Sequence, residues 1–290
     1  MTSTDLVDDG VAAFEGQRGR LFGIAYRMLG SASEAEDIVQ ETWLRWQGYD
    51  RATVENPGAF LATACTRLAI NAAQSARARH ETYVGPWLPE PIDTSADPAL
   101  GAERGEALGF AVLILLEKLT PTERAAYVLR EAFDYGYGQI AEIIQLTEAN
   151  TRQLVSRARK HLAEERRAPV APTEQRRLLD AFLVAAQSGD LTALERLFAE
   201  DVVSYSDGGG VAKLAARIPV VGRERVAKFV AAFSSHFWVG AQLSAADVNG
   251  EPAILIQRDG VTATVLSLSA SAAGIEQILW MMNPHKLAHA

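Results

Sequence analysis

The stretch YGQIAEIIQLTEANTRQLVSRARKHL (137–162) predicts two helices joined by a tight turn. Thr147 is a typical N-cap for the second helix, because its hydroxyl can accept a hydrogen bond from a free backbone N–H of the first turn. Apolar residues recur in that helix at i, i+3 and i+4 spacing, which gives it one buried stripe. The stripe consists of Leu154, Val155, Ala158 and Leu162. A short helix, a turn and a longer helix indicate a helix-turn-helix.

The second of these helices is strongly basic. Between Thr151 and Lys160 it carries four basic residues and no acid. An isolated basic run is by default a solvated face, but the capped helix-turn-helix frame favours DNA binding. In this motif the second helix enters the major groove with its N-terminal end, where Arg, Asn and Glu can read base edges, and later basic residues can meet phosphates. The predicted DNA contacts are Glu148, Asn150, Thr151, Arg152, Ser156, Arg157 and Lys160.

The 290-residue chain has the composition of a globular protein, with 48% hydrophobic and 22% charged residues. Its formal net charge of −8 argues against a free-standing nucleic-acid binder. No apolar run reaches the roughly 18 residues of a membrane span, and the N-terminus has no signal-peptide pattern. The single cysteine, Cys65, excludes an intrachain disulfide and is typical of a small core residue. We therefore expect a cytoplasmic protein without a membrane partner, and no residue pattern predicts a metal or a cofactor.

Composition divides the chain into four segments. Four of the eleven prolines lie between Pro86 and Pro98, in an acidic stretch typical of an extended linker. A second break falls at RRAPVAPTE (166–174), where prolines stop a helix. The predicted segments are a helical segment 8–82, a linker 83–103, a helical segment 104–167 with the helix-turn-helix, and a C-terminal segment 172–290.

Segment 8–82 is predicted to contain an acidic helix and a basic helix separated by a loop. Ser33 and Glu36 have the spacing of a capping box for the acidic helix. The loop 47–58 follows two tryptophans, and several arginines follow the loop. Aromatic side chains next to a basic helix suit stacking and backbone contacts with unpaired DNA. The alternative is that the tryptophans belong to the core.

The C-terminal segment is predicted to begin with helices and to end in strands. EPAILIQRDG (251–260) and VTATVLSLSAS (261–271) are rich in strand-forming residues and meet at Asp259-Gly260, a hairpin signal. The predicted fold class is therefore multidomain, with two all-α segments followed by an α+β domain.

The middle of this segment contains a predicted helix and a glycine-rich loop. DLTALERLFAED (190–201) has the pattern of a helix capped by its first residue. The glycines 208–210 are followed by Lys213, which raises the possibility of a phosphate-binding loop. A P-loop needs Ser or Thr directly after its Lys, and here Leu214 follows instead. We therefore interpret this stretch as a contact loop, in which glycine permits a close approach of the backbone.

Several motifs resemble those of bacterial sigma factors. SEAEDIVQETWLRW (33–46) resembles the polymerase-binding helix of region 2, and NPGAFLATACTRLAIN (56–71) resembles the promoter −10 helix that follows it. LTPTERAAYVLRE (119–131) and EANTRQLVSRARKHL (148–162) resemble region 4. This order without a region 3 is that of the extracytoplasmic-function (ECF) group.

The resemblance implies that the protein binds the clamp helices of the large subunit of core RNA polymerase and directs the enzyme to promoter DNA. The implied polymerase-binding residues are Glu34, Glu36, Asp37, Gln40 and Glu41. The implied −10 contacts are Trp46, Tyr49, Asn56, Arg67, Asn71, Arg77 and Arg79. An unstacked −10 base would enter the loop 47–58. The DNA contacts of the helix-turn-helix would then read the −35 element.

The C-terminal segment resembles the SnoaL-like (NTF2-like) cone. WLPEP (87–91), DGGG (207–210) and NPHKL (283–287) narrow the resemblance to the SigJ-like group, which implies regulation in cis through contact between this domain and the sigma core. The implied regulatory contacts are Trp87, Leu88, Pro89, Glu90, Pro91, Asp207, Gly208, Gly209, Gly210, Asn283, Pro284, Lys286 and Leu287. The sequence departs from the family pattern at Gln145, where the helix-turn-helix turn has glycine, and at His285, where the third motif has aspartate.

Two other function classes remain open. Relatives of the cone fold include isomerases and cyclases, so the C-terminal domain could be an enzyme or a small-molecule sensor. A proton-shuttling enzyme needs a carboxylate or histidine in an apolar cavity, and the spacing of the available groups assembles no acid–base pair, so no catalytic residue is assigned. The groups considered are Asp201, Tyr205, Asp207, His236 and Asp247. The second class is a helix-turn-helix regulator that binds promoter DNA without polymerase.

Overall fold

The computed structural model describes residues 3–94, 109–165 and 167–288, which form two compact units. The helical unit holds residues 3–81 and 112–165, and the sheet unit holds residues 82–94, 109–111 and 167–288. Residues 95–108, which include the end of the predicted linker, lie outside the described residues. No helix in the described part is long and apolar enough to cross a membrane.

The described part of the helical unit consists of helices. They are α1 (Ser3–Leu29), α2 (Ala32–Gln47), α3 (Pro57–Glu81), α4 (Phe110–Leu116, whose first two residues are counted in the sheet unit), α5 (Pro121–Glu131), α6 (Tyr137–Ile144) and α7 (Glu148–Glu165), with a 3-10 turn at Arg51–Thr53. Thr120 and Glu123 form a capping box at the start of α5. The hydroxyl of Thr147 accepts from the Asn150 N–H at 3.2 Å, which confirms it as the predicted cap of α7.

The start of α2 differs from the prediction. Gly30 adopts a left-handed conformation after α1, and Ser31 follows it in an extended conformation. The Ser31 hydroxyl accepts from the Glu34 N–H at 3.2 Å, so the helix already includes Ser33. The predicted capping box of Ser33 and Glu36 is therefore wrong, because an earlier serine occupies the only extended position before the helix.

Helices α1, α2 and α3 pack around fully buried side chains, among them Tyr26, Trp46 and Leu61. Cys65 is buried with them, and its thiol donates to the carbonyl oxygen of Leu21 at 3.4 Å. Burial raises the pKa of this thiol to about 12. The cysteine is therefore the core residue that the sequence predicted.

Helices, a six-stranded sheet and a docked segment of the linker make up the described sheet unit. The elements are α8 (Pro172–Ser188), α9 (Leu191–Leu197), β1 (Phe198–Asp207), β2 (Val220–Val221), α10 (Arg223–Ala232), β3 (Gln242–Val248), β4 (Glu251–Arg258), β5 (Val261–Ser271) and β6 (Gly274–Met281). The strand order is β2-β1-β6-β5-β4-β3, in which only the β1–β6 pair is parallel. The three helices bury Phe182, Leu194 and Val226 in a shared core with the sheet.

The sheet confirms the predicted hairpin but corrects the predicted helix before it. Strands β4 and β5 meet at Asp259-Gly260, where both residues have positive φ as a tight hairpin turn requires. The predicted helix 190–201 ends at Leu197, and β1 begins at Phe198. Because β1 lies between β2 and β6, tertiary pairing determines its conformation and overrides the local helical pattern.

Candidate functional site

The exposed face of α7 is the candidate DNA-reading surface. Its buried stripe is the predicted one, and Glu148, Asn150, Arg152, Ser156, Arg157 and Lys160 are all exposed. Arg152 is held above the ring of Tyr137 at 4.4 Å from the centroid and pairs with Glu148. Arg157 has no acidic partner among the described residues. The face thus offers one positioned guanidinium near its N-terminal end and further cations along its length.

Two residues of α7 do not serve this face. Thr151 is fully buried, and its hydroxyl donates to the Thr147 carbonyl at 3.1 Å, so its prediction as a base contact is wrong. Arg159 donates two hydrogen bonds to Glu131 on α5, at 3.1 and 2.6 Å, which ties α7 to its neighbour. Gln153 is exposed and was missed, although its spacing of three and four residues from Ser156 and Arg157 places it on the same face.

The turn before α7 has a left-handed residue that is not glycine. Gln145 ends α6 with φ 58° and ψ 44°, the left-handed conformation that glycine adopts at low cost. The Gln145 N–H still donates to the Ala141 carbonyl, and the next N–H, that of Leu146, donates to the same carbonyl at 2.9 Å. The turn therefore keeps its geometry with a non-glycine residue, at a cost of about 1–2 kcal/mol.

The candidate polymerase-binding surface is the outer face of α2. Asp37 and Gln40 are exposed, whereas Glu36 pairs with Arg18 of α1 at 2.7 Å and Glu41 pairs with Arg45 at 3.1 Å. Glu34 lies in the first turn and is half-buried. Ile38 and Val39 are buried, so they belong to the core and not to this face.

One apolar residue on this face was missed by the sequence reasoning. Leu44 is 54% exposed and follows Asp37 and Gln40 at helical spacing. An exposed apolar side chain in a polar row would be removed from water if a partner covered the helix. Its spacing from Asp37, seven residues or two turns, was the signal available in the sequence.

The predicted −10 contacts fall into different environments. Tyr49 is 49% exposed and packs against Phe60 at 4.6 Å between ring centroids, and Asn71 is exposed on α3. Asn56 is exposed and caps α3 by accepting from the Ala59 N–H at 3.0 Å. The side chains of Arg77 and Arg79 lie outside the described residues.

Trp46 cannot present a stacking face to a base in this structure. It is 2% exposed, and its indole N–H donates to the Gly10 carbonyl at 2.8 Å, so the prediction of direct DNA contact is wrong and the core alternative holds. The physical reason is its position on the inner stripe of α2, where α1 covers it. Its neighbour Trp43 is only partly buried and packs on Phe14 at 4.8 Å between ring centroids.

Arg67 is occupied by a contact inside the helical unit. Its Nε donates to the Ile143 carbonyl at 2.9 Å, and one Nη donates to the Glu142 carbonyl at 3.0 Å. These carbonyls are free at the end of α6, where a guanidinium both bonds them and favours the negative end of the helix dipole. The predicted DNA ligand on α3 is thus a cap of the helix-turn-helix.

A cluster in the sheet unit binds part of the predicted linker to the C-terminal domain. We call it the linker latch, and it consists of Tyr83, Trp87, Leu88, Asp207, Asn283 and Lys286. Asp207 is fully buried, and its carboxylate accepts four hydrogen bonds. Oδ1 accepts from the Tyr83 hydroxyl at 2.6 Å and from the Gly209 N–H at 3.1 Å. Oδ2 accepts from the Leu88 N–H at 2.9 Å and from Lys286 Nζ at 2.8 Å.

Lys286 is the second buried charge of the linker latch. Besides Asp207, its ammonium donates to the Leu88 carbonyl at 2.5 Å and lies 4.2 Å from the centroid of the Trp87 ring. The Tyr83 hydroxyl accepts from the Asn283 amide at 2.8 Å while it donates to Asp207. Burial and the Asp207 carboxylate raise the pKa of Tyr83 well above its ordinary value. The linker latch is therefore a closed network in which both charges are paired and bonded.

Close packing at the glycine loop explains why glycine is needed there. Gly209 has φ 59°, and a Cβ at this position would lie 2.5 Å from the Asn283 amide nitrogen. Only a residue without a Cβ allows the NPHKL turn to sit against this loop. Gly210 lies against Val84 of the linker, whereas Gly208 is buried against Ala212 and Ala215 of the loop that follows it.

The rest of the described linker continues along the domain. Pro89, Glu90 and Pro91 are buried, and Ile92 exchanges hydrogen bonds with Asn249 at 2.9 and 3.0 Å. Thr94 bonds the Asp247 carbonyl at the same β3–β4 turn. Leu287 is buried, while Pro284 and the family departure His285 are exposed. Residues 83–94 are thus anchored at two points of the sheet unit.

Tyr83 was missed by the sequence reasoning, although it holds both halves of the linker latch together. The signal available was an aromatic residue four positions before Trp87 in a segment otherwise rich in proline. Lys213, by contrast, is exposed and makes no hydrogen bond or ion pair with any described residue. Val211 and Ala212 separate this lysine from the glycines, and it lies outside the network.

The groups considered for catalysis do not meet in one place. Asp201 is exposed and pairs with Arg167, Asp247 is exposed and pairs with Arg176, and His236 is exposed. Asp207 belongs to the linker latch. The apolar cavity of the sheet unit is lined, among the described residues, by no acid, base or histidine.

Comparisons with known proteins match both units. Residues 13–79 match the family model for Sigma-70 region 2, and residues 110–162 match the model for Sigma-70 region 4. The chain is 36% identical over 248 residues to the ECF RNA polymerase sigma factor SigJ of Mycobacterium tuberculosis, and the match covers 83% of this chain and 79% of that protein. It is 33% identical over 282 residues to the probable ECF RNA polymerase sigma factor SigI of the same species, and this match covers 95% of this chain and 94% of that protein. The crystal structure of the M. tuberculosis extracytoplasmic function sigma factor SigJ matches with a TM-score of 0.78 at 31% identity, over 97% of this chain and 99% of that chain.

Proposed function

The chain belongs to the ECF RNA polymerase sigma factors, which direct transcription initiation, and we propose that its C-terminal domain controls this activity in cis by holding the linker between regions 2 and 4. The matches confirm the resemblance drawn from the sequence and the fold class, helical regions 2 and 4 followed by an α+β sheet domain. The role of the C-terminal domain is the proposal.

The observation that carries the proposal is the linker latch. It joins WLPEP, DGGG and NPHKL through the buried carboxylate of Asp207. Residues 83–94 form the described part of the connection between the two DNA-reading regions, and twelve extended residues reach at most roughly 40 Å. Residues that are docked on the sheet unit cannot extend, so the flexible part of the linker becomes shorter by this length. The linker latch would therefore restrict how far apart regions 2 and 4 can bind on a promoter.

The two DNA-reading surfaces take their roles from this framework. The outer face of α2, with Asp37, Gln40 and Leu44, would contact the clamp helices of the polymerase. Tyr49 and Asn71 would contact the −10 element, and the exposed face of α7 would read the −35 element. Arg152 is the strongest candidate for a guanine contact, because it is held in place near the N-terminal end of the helix.

Run-off transcription with core RNA polymerase tests the proposal. The templates carry one promoter in versions whose −35 and −10 elements are separated by spacers one or two base pairs shorter or longer. We expect the wild-type protein to accept a narrow range of spacers. The variant Asp207→Ala should accept a broader range, because residues 83–94 are released.

Asp201→Ala is the matched control, since this exposed aspartate lies on the same strand and pairs only at the surface. Its spacer profile should equal that of the wild type. Circular dichroism establishes that each variant is folded at the assay temperature. A folded Asp207→Ala variant with the wild-type spacer profile would show that the linker latch does not control promoter choice.

A further inference from the structure

A polar cleft, which we call the linker cleft, lies between the glycine-rich loop and the start of the described linker. Its volume is about 130 Å³, many times the roughly 10–15 Å³ that one buried water needs and below the roughly 300 Å³ at which drug-sized sites begin. Val84 and Gly85 of the linker line one side, and residues 208–217 line most of the other. A Cβ on Gly85 would lie 3.8 Å from the Cα of Arg217, so the two sides meet. Among the described residues no member of α8, α9 or α10 lines this space, so it is separate from the interior of the domain.

The linker cleft is basic and has no counter-charge. Lys213 and Arg217 line it, and neither makes a hydrogen bond or ion pair with any described residue. No acidic side chain stands among its described lining residues, although the whole chain has a formal net charge of −8. Other cations of the sheet unit do pair with acids, namely Arg167, Arg176, Arg177 and Lys228. A concave site with unpaired cations focuses positive potential, which favours the binding of an anion.

The backbone of the glycine-rich loop adds hydrogen-bond donors to this charge. The N–H groups of Gly210 and Lys213 donate to no described residue, whereas the Gly209 N–H donates to Asp207. Gly210 has φ 75° and no side chain that could cover its N–H. Free N–H groups of a glycine loop, a lysine ammonium and an arginine guanidinium are the donors from which oxyanions such as phosphate accept hydrogen bonds. The volume of the linker cleft restricts such a ligand to a compact group.

We propose that the linker cleft binds a compact oxyanion, the phosphate group of a small phosphate monoester, through Lys213, Arg217 and the backbone of the glycine-rich loop. The site is not a P-loop, since Leu214 follows the lysine. The linker cleft adjoins the linker latch, because Tyr83 and Asp207 directly precede its two sides in the chain. A bound anion would contact both sides and oppose release of the linker. This effect rests on the proposed function, whereas the binding does not.

Calorimetric titration of the full-length protein with methyl phosphate, at constant ionic strength, tests the site. We expect saturable binding of one methyl phosphate per chain. Lys213→Met and Arg217→Met should each weaken this binding by about 3- to 10-fold, as expected for a charged hydrogen bond that is partly solvated. Arg225→Met is the matched control, because it removes an exposed cation on α10 outside the linker cleft, and it should bind like the wild type.

A carboxylate introduced into the linker cleft tests the location. Val211 lines the cleft and is 61% exposed, so its substitution should leave the fold intact. Val211→Glu should weaken binding by at least about 10-fold through repulsion between like charges, whereas the uncharged Val211→Gln should keep most of the affinity. Absence of saturable binding, wild-type affinity of both Lys213→Met and Arg217→Met, or equal affinities of the two Val211 variants would each overturn the site. Equal weakening by Arg225→Met would do the same, because binding would then follow net charge alone.

Competition identifies the source of the phosphate group. A short duplex DNA without promoter elements should leave methyl phosphate bound to the linker cleft. Displacement of methyl phosphate by this duplex would assign the cleft to DNA phosphates and overturn the small-molecule ligand.

Run-off transcription separates the site from its effect. Methyl phosphate should narrow the range of spacers that the wild type accepts but not the range of Lys213→Met. Binding without any change in the wild-type range would overturn the link between the linker cleft and the linker latch while leaving the site itself supported. A wild-type spacer range of folded Asp207→Ala without methyl phosphate would overturn the proposed function alone, so the two failures are distinguishable.

Discussion

The outer face of α7 and the linker latch use the same residue types in opposite ways. On α7, Arg157 and Lys160 project into solvent, and the Arg152–Glu148 pair is exposed. In the linker latch, Lys286 and Asp207 are buried and every hydrogen-bonding position of the carboxylate is used. Exposed pairs contribute about 0–1 kcal/mol to stability, whereas removal of one partner from a buried pair costs about 3–5 kcal/mol.

The difference shows what each site is suited to do. Basic side chains that are solvated in the free protein can contact DNA phosphates at little cost in free energy, and counterion release then drives binding. Charges that are buried and bonded fix one conformation and stabilise it only as a complete set. The first site is suited to recognition and the second to holding a segment of chain in place.

The largest expected effect is on the linker latch. Asp207→Ala leaves the Lys286 ammonium buried without its counter-charge, so the free energy of unfolding of the sheet unit should fall by about 3–5 kcal/mol. Urea denaturation followed by tryptophan fluorescence measures this change. The double variant Asp207→Ala/Lys286→Met should recover most of the loss, because it removes both charges. A decrease no larger than that of the control Asp201→Ala would mean that the buried pair does not stabilise the domain.

A smaller effect is expected on the recognition side of the comparison. Arg157→Ala removes one phosphate contact, so the slope of log K against log salt for promoter binding by the polymerase-bound protein should become shallower by about 0.9. Binding should weaken on all promoter sequences alike, and stability should not change. Arg159→Ala is the matched control, since its guanidinium is bonded to Glu131, and its salt slope should remain that of the wild type.

A still smaller effect concerns the turn that positions the recognition helix. Replacing Gln145 with glycine removes about 1–2 kcal/mol of left-handed strain but adds about 0.5–1 kcal/mol of unfolded-chain entropy. We therefore expect Gln145→Gly to raise the free energy of unfolding of the helical unit slightly, by about 0–1.5 kcal/mol. Gln153→Gly, within α7, should instead lower it by about 1 kcal/mol. Thermal denaturation measures the stability of both variants against the wild type. Destabilisation by Gln145→Gly would contradict the presence of strain at this residue.

The smallest expected effect is the pH dependence of the linker latch. Because the pKa of Tyr83 is raised in the folded state, the unfolded chain releases this proton at lower pH than the native chain. The free energy of unfolding should therefore fall as pH rises above about 10, the ordinary value for tyrosine. For Tyr83→Phe, the free energy of unfolding should fall less steeply over the same pH range, as measured by urea denaturation at a series of pH values. Equal slopes would show that the Tyr83 hydroxyl keeps its proton equally well in both states.

Much of the fold could be predicted because its signals are local. The cap at Thr147 and the hairpin at Asp259-Gly260 each depend on a few neighbouring residues, and the structure confirms them. β1 could not be predicted in the same way. Its first residues continue a helical pattern, and only pairing with β6, more than seventy residues later, determines that they form a strand.

In the candidate sites too, local features could be predicted from the sequence and long-range contacts could not. The exposed face of α7 follows from helical spacing, but Thr151 and Trp46 were misassigned because spacing alone does not show which side a neighbouring helix covers. The motifs identified Asp207 and Lys286, yet not that they form one network. Tyr83 had no motif at all, since its role depends on a hydroxyl that reaches across the fold to Asp207 and Asn283.

The hydrogen bonds of Arg67 to the end of α6 have a consequence for promoter binding. One guanidinium cannot bond the Glu142 and Ile143 carbonyls and a DNA strand with the same N–H groups. If Arg67 contacts the −10 element as the sequence predicts, the free energy of its bonds to α6 is subtracted from the free energy of DNA binding. By reciprocity, DNA bound to α3 must destabilise the contact between Arg67 and α6 by the same free energy. Binding of the −10 element is therefore thermodynamically linked to the mobility of the helix-turn-helix that reads the −35 element.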